Sequence, residues 1–413
     1  MKNLFLGGLI LMALGIPLTS AQQYNGTANL TNQNLTSPFS LTTPYPLDVV
    51  GQECYIHSSY IYCFSGHAGN GTAAPAYYAT VNSSGIGQWE NTTNFPTNAV
   101  NPVCVSAIGY VYCIVATETN GVNLNEATYF AQLSASGIGK WSKTTSYPGI
   151  YAPSCLSTNS TIYCIGGLNQ TTLPVPPTNS TYFAHISPLG VGGWNTTTGY
   201  PLGIIGTDCV SSNNKIYCIG GGSFDNQTNA TYYSNITSSG IGSWTKSASF
   251  FTGPYLKNCM VYGGYLYCLL GFNETSQLDT SFYAQVNDSG IGLWNEGQTF
   301  PNASYTMSCP SFNGFVYCIG TASGGFTNQT YFAYLPALVK NYTPSTTVQP
   351  TTLIQPTTIG TNVTTTAYAT TTINGGPGAA SSGNLVLQFI IIALIAIAIY
   401  VLIRIRSKTT EKA

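Results

Sequence analysis

The chain has 413 residues, of which 6% are charged, and a formal net charge of −1; ordinary globular proteins carry roughly 25% charged residues. Up to residue 403 there is no arginine, and Lys140, Lys143, Lys215, Lys246, Lys257 and Lys340 face a modest excess of carboxylates. This excludes the basic footprint of a nucleic-acid partner and the clustered arginines that a sialidase-like carboxylate site needs.

In chain order, Met1-Lys2-Asn3 is a short basic start, residues 4–18 are apolar, and Thr19-Ser20-Ala21 offers small residues for cleavage. Residues 1–21 therefore read as a secretory signal, too short to span a bilayer comfortably. After an extension over residues 22–36, twelve cysteines dominate the pattern. They form six pairs with a spacing of nine: Cys54/Cys63, Cys104/Cys113, Cys155/Cys164, Cys209/Cys218, Cys259/Cys268 and Cys309/Cys318. The pairs recur every 50 to 54 residues, a period that marks a repeat architecture.

The interval within each pair reads as strand, two turn residues, strand. Its middle holds Ser58-Ser59, Ile108-Gly109, Asn159-Ser160, Asn213-Asn214, Gly263-Gly264 or Asn313-Gly314, and Asn-Gly and Gly-Gly suit the positive φ angles of a tight hairpin turn. Counting outward from such a turn, the cysteines fall at a non-hydrogen-bonded pair, with Cα atoms about 4.5 Å apart, within reach of a disulfide. Paired cysteines also suit zinc, but the longer spacing and the scarcity of histidine (His57, His67 and His185) argue for six hairpin disulfides. Such bonds imply an oxidising compartment.

Each unit continues with a small or apolar segment, a variable loop and an aromatic strand: Tyr77-Tyr78, Tyr129-Phe130, Tyr182-Phe183, Tyr232-Tyr233, Phe282-Tyr283 and Tyr331-Phe332. A Gly-Ile-Gly-x-Trp turn follows, as in Gly85-Ile86-Gly87-Gln88-Trp89, then a Thr-rich strand and an aromatic-Pro pair such as Tyr147-Pro148. Four short strands per fifty residues is the size of one propeller blade. The five tryptophans (Trp89, Trp141, Trp194, Trp244 and Trp294) share one position, and the sixth unit ends before reaching it. Phe39 stands 15 residues before Cys54, as Trp89 stands before Cys104, so the N-terminal segment at residues 37–46 supplies the missing strand. The expected fold is all-β: a six-bladed β-propeller over residues 37–337, closed by an N-terminal strand, with one disulfide per blade.

The units resemble those of the kelch-type β-propeller family. The resemblance rests on Ile162-Tyr163-Cys164-Ile165-Gly166-Gly167 and Ile216-Tyr217-Cys218-Ile219-Gly220-Gly221, followed by an aromatic strand, a tryptophan and a proline. The other four units lack the glycine pair, and the arginine of many kelch units is missing throughout. The resemblance implies the architecture and no particular partner.

Beyond the repeats, residues 338–384 are rich in Thr, Pro, Ser and Gly and read as an extended stalk. Residues 385–403 form an apolar run long enough for one transmembrane helix. Arg404, Arg406 and Lys408 then place the tail at 404–413 in the cytoplasm and the repeats outside the cell. Sequons are dense, and Asn82, Asn91, Asn195, Asn226, Asn229, Asn235, Asn287 and Asn328 are candidate glycosylation sites.

For function, no cofactor or metal site is expected. A galactose-oxidase-like copper site would need histidines and a cysteine that the disulfides already occupy. Glu118 with Glu126, or Asp225 with Glu274, are carboxylate pairs without a supporting motif. The tyrosine before each second cysteine recurs in every unit, which is what core packing produces. The residues that differ lie in the loops 66–75, 116–127, 168–179, 222–229, 271–280 and 321–328. The reading is a cell-surface propeller that recognises or adheres to an extracellular protein or glycan through these loops and does not act as an enzyme. A structural cell-envelope component and an extracellular carbohydrate-active enzyme are the competing classes.

Overall fold

The structure, a computed structural model, describes residues 20–21 and 39–338, apart from residues 98–101, 120–122, 170–175, 224–225, 252–254, 257, 270, 273–276, 302–306 and 321–325. The chain divides into two units, Met1–Val348 and Gln349–Ala413, and the described residues belong to the first. The stalk beyond Leu338, the apolar run at 385–403, the tail and all of the expected signal segment except Ser20–Ala21 lie outside them. Among the described residues no helix is long and apolar enough to cross a membrane.

Six disulfides close six hairpins, with the expected partners: Cys54–Cys63, Cys104–Cys113, Cys155–Cys164, Cys209–Cys218, Cys259–Cys268 and Cys309–Cys318. In the first, Glu53–His57 pairs antiparallel with Tyr60–Phe64 and sets Cys54 opposite Cys63. The same register sets Cys104 opposite Cys113, Cys155 opposite Cys164, Cys209 opposite Cys218 and Cys259 opposite Cys268. The sixth hairpin departs from the expected strand–turn–strand pattern. Cys318 lies within the strand Phe315–Ile319, but Cys309 precedes the short strand Ser311–Phe312 that pairs with it. Pro310 is the reason: its carbonyl accepts the Tyr317 N–H, but it has no N–H to return, and the ladder is interrupted there. The Cα separations across the six bridges are 4.0 to 4.2 Å, a few tenths shorter than the expected 4.5 Å of a non-hydrogen-bonded pair. Both central turn residues have positive φ in five hairpins; at Asn159-Ser160 the positive angle belongs to Asn159.

One turn carries the wrong residue for its shape. Ile108 holds φ at 48° and is 46% exposed, although a β-branched side chain in the left-handed region costs about 1–2 kcal/mol. Replacing it with Asn, which tolerates that region, loses little packing. Ile108→Asn should therefore stabilise the protein by about 1 kcal/mol and raise its melting temperature by roughly 2–4 °C. An unchanged or lower melting temperature, measured on unglycosylated protein, would show that this turn is not left-handed.

Each hairpin is the inner half of a four-stranded blade. In blade 1 the order from the centre outward is Glu53–His57, Tyr60–Phe64, Tyr77–Asn82 and Glu90–Asn91. Blade 6 is assembled from both ends of the propeller. Its inner strands are Ser311–Phe312, Phe315–Ile319 and Thr330–Tyr334, and its outer strand is Ser40–Leu41, with Ser40 opposite Phe332 and Leu41 opposite Tyr331. Around this junction Thr42 and Tyr45 donate their backbone N–H groups to the carbonyls of Thr330 and Asn328, and the Thr330 hydroxyl donates to the Thr43 carbonyl at 2.7 Å. The expected closure is therefore observed.

Repetition between blades has a visible cause in aromatic contacts. An aromatic at the end of each blade, followed by proline except at Phe250, lies edge-on to the tryptophan of the next blade: Tyr45 on Trp89, Phe95 on Trp141, Tyr147 on Trp194, Tyr200 on Trp244 and Phe250 on Trp294, with centroids 4.7 to 5.0 Å apart. At the sixth junction Phe39 takes the tryptophan's place, 4.6 Å from Phe300. The Gly-Ile-Gly turns fit the same interfaces. Gly190, for example, has φ 118°, and a Cβ there would run into Thr144 Oγ1 of the preceding blade, while Thr144 Oγ1 accepts the Val191 N–H.

The tyrosines before the second cysteines are buried, as core packing requires, and several also stitch blades together. Tyr62, Tyr112 and Tyr317 donate their hydroxyls to the carbonyls of Ser134, Ser187 and Asn82 in the next blade. Burial pushes the phenols of Tyr62, Tyr112, Tyr267 and Tyr317 well above their ordinary range. Tyr217 is pushed up to about 12, chiefly by burial and then by the charge of Asp288. A phenol whose folded pKa lies above its unfolded value near 10 stabilises the fold below that value, and the contribution is lost as pH rises toward the folded pKa. Absorbance at 295 nm should therefore show these tyrosines ionising together with a cooperative loss of near-UV dichroism above pH 10. Gradual ionisation with the dichroism intact would contradict it.

Candidate recognition face

Strand direction sorts the connections onto two faces. The backbone N–H near the end of each third strand donates to a hairpin-turn carbonyl: Val81 to Ser59, Leu133 to Gly109, Ile186 to Ser160, Ile236 to Asn214, Val286 to Gly264 and, just past the last strand, Leu335 to Gly314. The hairpin turns and the Gly-Ile-Gly turns thus share one face, here the turn face. The links between second and third strands, and between blades, share the other, the loop face. All six variable loops lie there.

The loop face is built up by short extra sheets. Val49–Val50 pairs with His67–Ala68, Ile150–Tyr151 with Leu168–Asn169, and Gly222–Ser223 with Asn226–Gln227. Tyr255–Leu256, Gly271–Phe272 and Gln277–Leu278 form a three-stranded sheet. The links entering blades 1, 3 and 5 are thereby tied to a variable loop of the blade they enter. Leu202, Phe251 and Phe326 are exposed on this face.

Blade 2 departs from the expected loop at 116–127. Its second and third strands, Tyr110–Thr119 and Asn123–Ser134, stay paired to Thr119 opposite Asn123. Relative to blade 1, whose ladder ends at Cys63 opposite Tyr77, the ladder is six pairs longer, about 20 Å at the rise of a strand. The β-branched residues Val115, Thr117 and Thr119 and the Asn120-Gly121 dipeptide are the hairpin signals in this stretch. Register places Ala116 opposite Glu126 and Glu118 opposite Leu124, so Glu118 and Glu126 occupy positions on the same side of the hairpin. Asp225 and Glu274 lie outside the described residues.

At the centre, where the inner strands begin, the residue before the first cysteine forms a polar ring. It is Glu53, Ser154, Asp208, Asn258 or Ser308, with Val103 in blade 2 as the exception. The side chains reach into the next blade. Ser154 accepts the Cys209 N–H, Asp208 the Cys259 N–H at 2.6 Å, Asn258 the Cys309 N–H, and Ser308 the Cys54 N–H. Glu53 accepts the Tyr55 hydroxyl at 2.8 Å. Buried inner-strand amides need such partners, so the Asp208 carboxylate serves the frame, while Glu53 holds the Tyr55 hydroxyl. Beside Val103, the edge of blade 3 carries a different pairing: Ser20–Ala21 runs parallel to it, with Ser20 opposite Cys155.

The ring was not anticipated from the sequence. Its signal is a polar residue at one position in five units, and its partners are 51 to 55 residues away or, across the closure, 254. The histidines do not converge. His57 meets Ser58 and His185 meets Thr161 at the turn-face ends of blades 1 and 3, while His67 is on the loop face. Burial lowers the pKa of His57. Among the described residues, no three of His, Cys, Asp and Glu come together as metal ligands.

Of the candidate sequons, Asn82, Asn91, Asn195, Asn226, Asn229, Asn235 and Asn287 are exposed, and Asn328 is half-buried. Asn226, Asn229 and Asn328 are on the loop face, Asn91 and Asn195 on outer strands, and Asn82, Asn235 and Asn287 toward the turn face.

Among known proteins, no family model and no curated protein matches the chain. Its fold does match solved structures. One of them, described as the structure of YjhT, aligns with a TM-score of 0.57 at 13% identity, covering 70% of this chain and 95% of the other. At that identity the likeness shows the propeller fold alone.

Proposed function

We propose that the chain is a kelch-type propeller displayed on the cell surface by a single C-terminal span, and that it recognises an extracellular protein or glycan through its loop face. The observation that carries this reading is the division between faces. The hairpin and Gly-Ile-Gly turns repeat from blade to blade, whereas the loop face differs in every blade, from the long hairpin of blade 2 to the three-stranded addition of blade 5. The described chain ends at Leu338, beside the Gly314 turn, so it leaves by the turn face. Unlike loops on a rigid scaffold are the usual place for binding. The buried carboxylates bonded within the ring, and the histidines scattered over both faces, favour binding over catalysis.

A screen of the full chain in detergent against glycans and extracellular proteins tests this. Cutting blade 2's hairpin back, by joining Ile114 to Thr128 through Asn-Gly, should abolish or strongly weaken the signal while leaving the melting temperature within a few degrees. A ligand whose binding survives replacement of each variable loop in turn would refute the loop face as the recognition surface. Turnover of a sugar substrate would replace the reading with an enzymatic one.

A further inference from the structure

The turn face is uneven. The residue after each hairpin turn is aromatic in blades 5, 6, 1 and 2, as Tyr265, Phe315, Tyr60 and Tyr110, and polar in blades 3 and 4, as Thr161 and Lys215. Tyr265 is 37% exposed, and Tyr60 and Tyr110 are half-buried. Each ends an aromatic ladder: Tyr60 lies 6.2 Å from Tyr78, Tyr110 6.2 Å from Phe130, and Tyr265 6.2 Å from Tyr283. Phe315 is buried, so the partly wet rings of the arc are those of Tyr265, Tyr60 and Tyr110.

Three sequons lie toward the turn face, and two of them, Asn82 and Asn287, belong to blades of the aromatic arc, whereas Asn235 stands opposite Lys215 in blade 4. The third strand ends at Asn82, Ser134, Ser187, Thr237 and Asn287 in blades 1 to 5. Asn occurs only in blades 1 and 5, where the post-turn residue of the blade and that of the next are both aromatic; blade 6 is flanked in the same way, but its third strand ends at Tyr334. In blade 1, Tyr60 is opposite Thr80, and strand alternation puts Asn82 on the same side of the sheet as Thr80 and Tyr60. That side faces blade 2, since Tyr62 on it donates to Ser134 there. In blade 5, Tyr265 is opposite Gln285, and Asn287 stands two residues on. Both Asn side chains are exposed, and each accepts the backbone N–H of Ser84 or Ser289 at 2.8 Å.

We propose that N-linked glycans on Asn82 and Asn287 fold back over the aromatic arc of the turn face and cover it. The inference rests on the reading that the propeller lies outside the cell. Attachment replaces an Nδ2–H with a bond to a sugar's anomeric carbon, the phosphate of an activated glycosyl donor leaving and the proton passing to solvent. A neutral sugar suits the site, because its C–H faces stack on tyrosine and its hydroxyls meet the Ser and Asn turn residues. The glycans act as a fixed cover and as a guard against association through this face.

Peptide mass mapping of the full chain purified from its own membranes reads the occupancy of each sequon, and hydroxyl-radical labelling reads the cover. Ser84→Ala and Ser289→Ala remove the two sequons while keeping the backbone N–H that holds each Asn. Labelling should rise roughly threefold at Tyr60 in the first and at Tyr265 in the second, as expected when a stacked ring is bared. Thr93→Ala, which removes the outer-strand sequon at Asn91, should change neither. Unmodified Asn82 and Asn287 beside occupied sequons elsewhere would overturn the proposal and leave the extracellular reading standing. No occupied sequon at all would count against both, and unchanged labelling with both sites occupied would overturn the cover.

Discussion

Deleting residues 37–46 should lower the melting temperature by about 15 °C or more. The segment carries Phe39 and Tyr45, which are 5% and 1% exposed, and losing a buried large aromatic costs about 3–5 kcal/mol. The deletion also removes the outer strand of blade 6, the Thr42 hydroxyl that accepts the Ile86 N–H, and the Thr43 carbonyl that accepts the Trp89 indole N–H. A domain of this size shifts by roughly 2–4 °C per kcal/mol. Phe39→Trp is the matching control, because the other five blades place tryptophan there; it should melt within a few degrees of the parent. An undiminished melting temperature after deletion would mean that the ring does not depend on its N-terminal strand.

Full reduction should unfold the protein. Each bridge closes a short loop and contributes at most about 2–3 kcal/mol, but six such terms together match or exceed the total stability of roughly 5–15 kcal/mol of a typical domain. The cysteines are 0 to 4% exposed, so the native protein should resist reductant until it opens. Protein reduced in denaturant and diluted out under reductant should then give no cooperative melt. A reduced ring that melts cooperatively near the oxidised one would show that the bridges are ornaments on a self-sufficient core. Peptide mapping without reduction should find each bridge within one hairpin.

The frame was legible because its constraints repeat. The nine-residue cysteine spacing set both register and turn, and the 15-residue interval before the first cysteine of each pair brought Phe39 into line with the tryptophans. The structure places Phe39 against Phe300 as those tryptophans meet their neighbours. What escaped the sequence reading acts across blades or once only. Asp208 holds an amide 51 residues away, and no local pattern announces such a partner. Pro310 stands beside a cysteine in one unit alone, so the shared spacing of Cys309 and Cys318 hid the shortened strand there. Blade 2's long hairpin likewise occurs in one unit, and comparing repeats marked it as variable without showing its regular pairing. The extra sheets of the loop face rest on two-residue pairings, too short for periodicity to register. The recognition surface was legible as a location, through the loops that differ, while a ligand's identity depends on side chains that follow no repeat.

Hydrogen exchange at the closure tests the central claim most directly, that one closed ring of six blades is completed by pairing the first strand of the propeller with its last. The amides of Thr42 and Tyr45, bonded to the carbonyls of Thr330 and Asn328, should exchange as slowly as those of the second strands and only with global unfolding. Fast exchange at these two amides, with the second strands still protected, would contradict the closed ring.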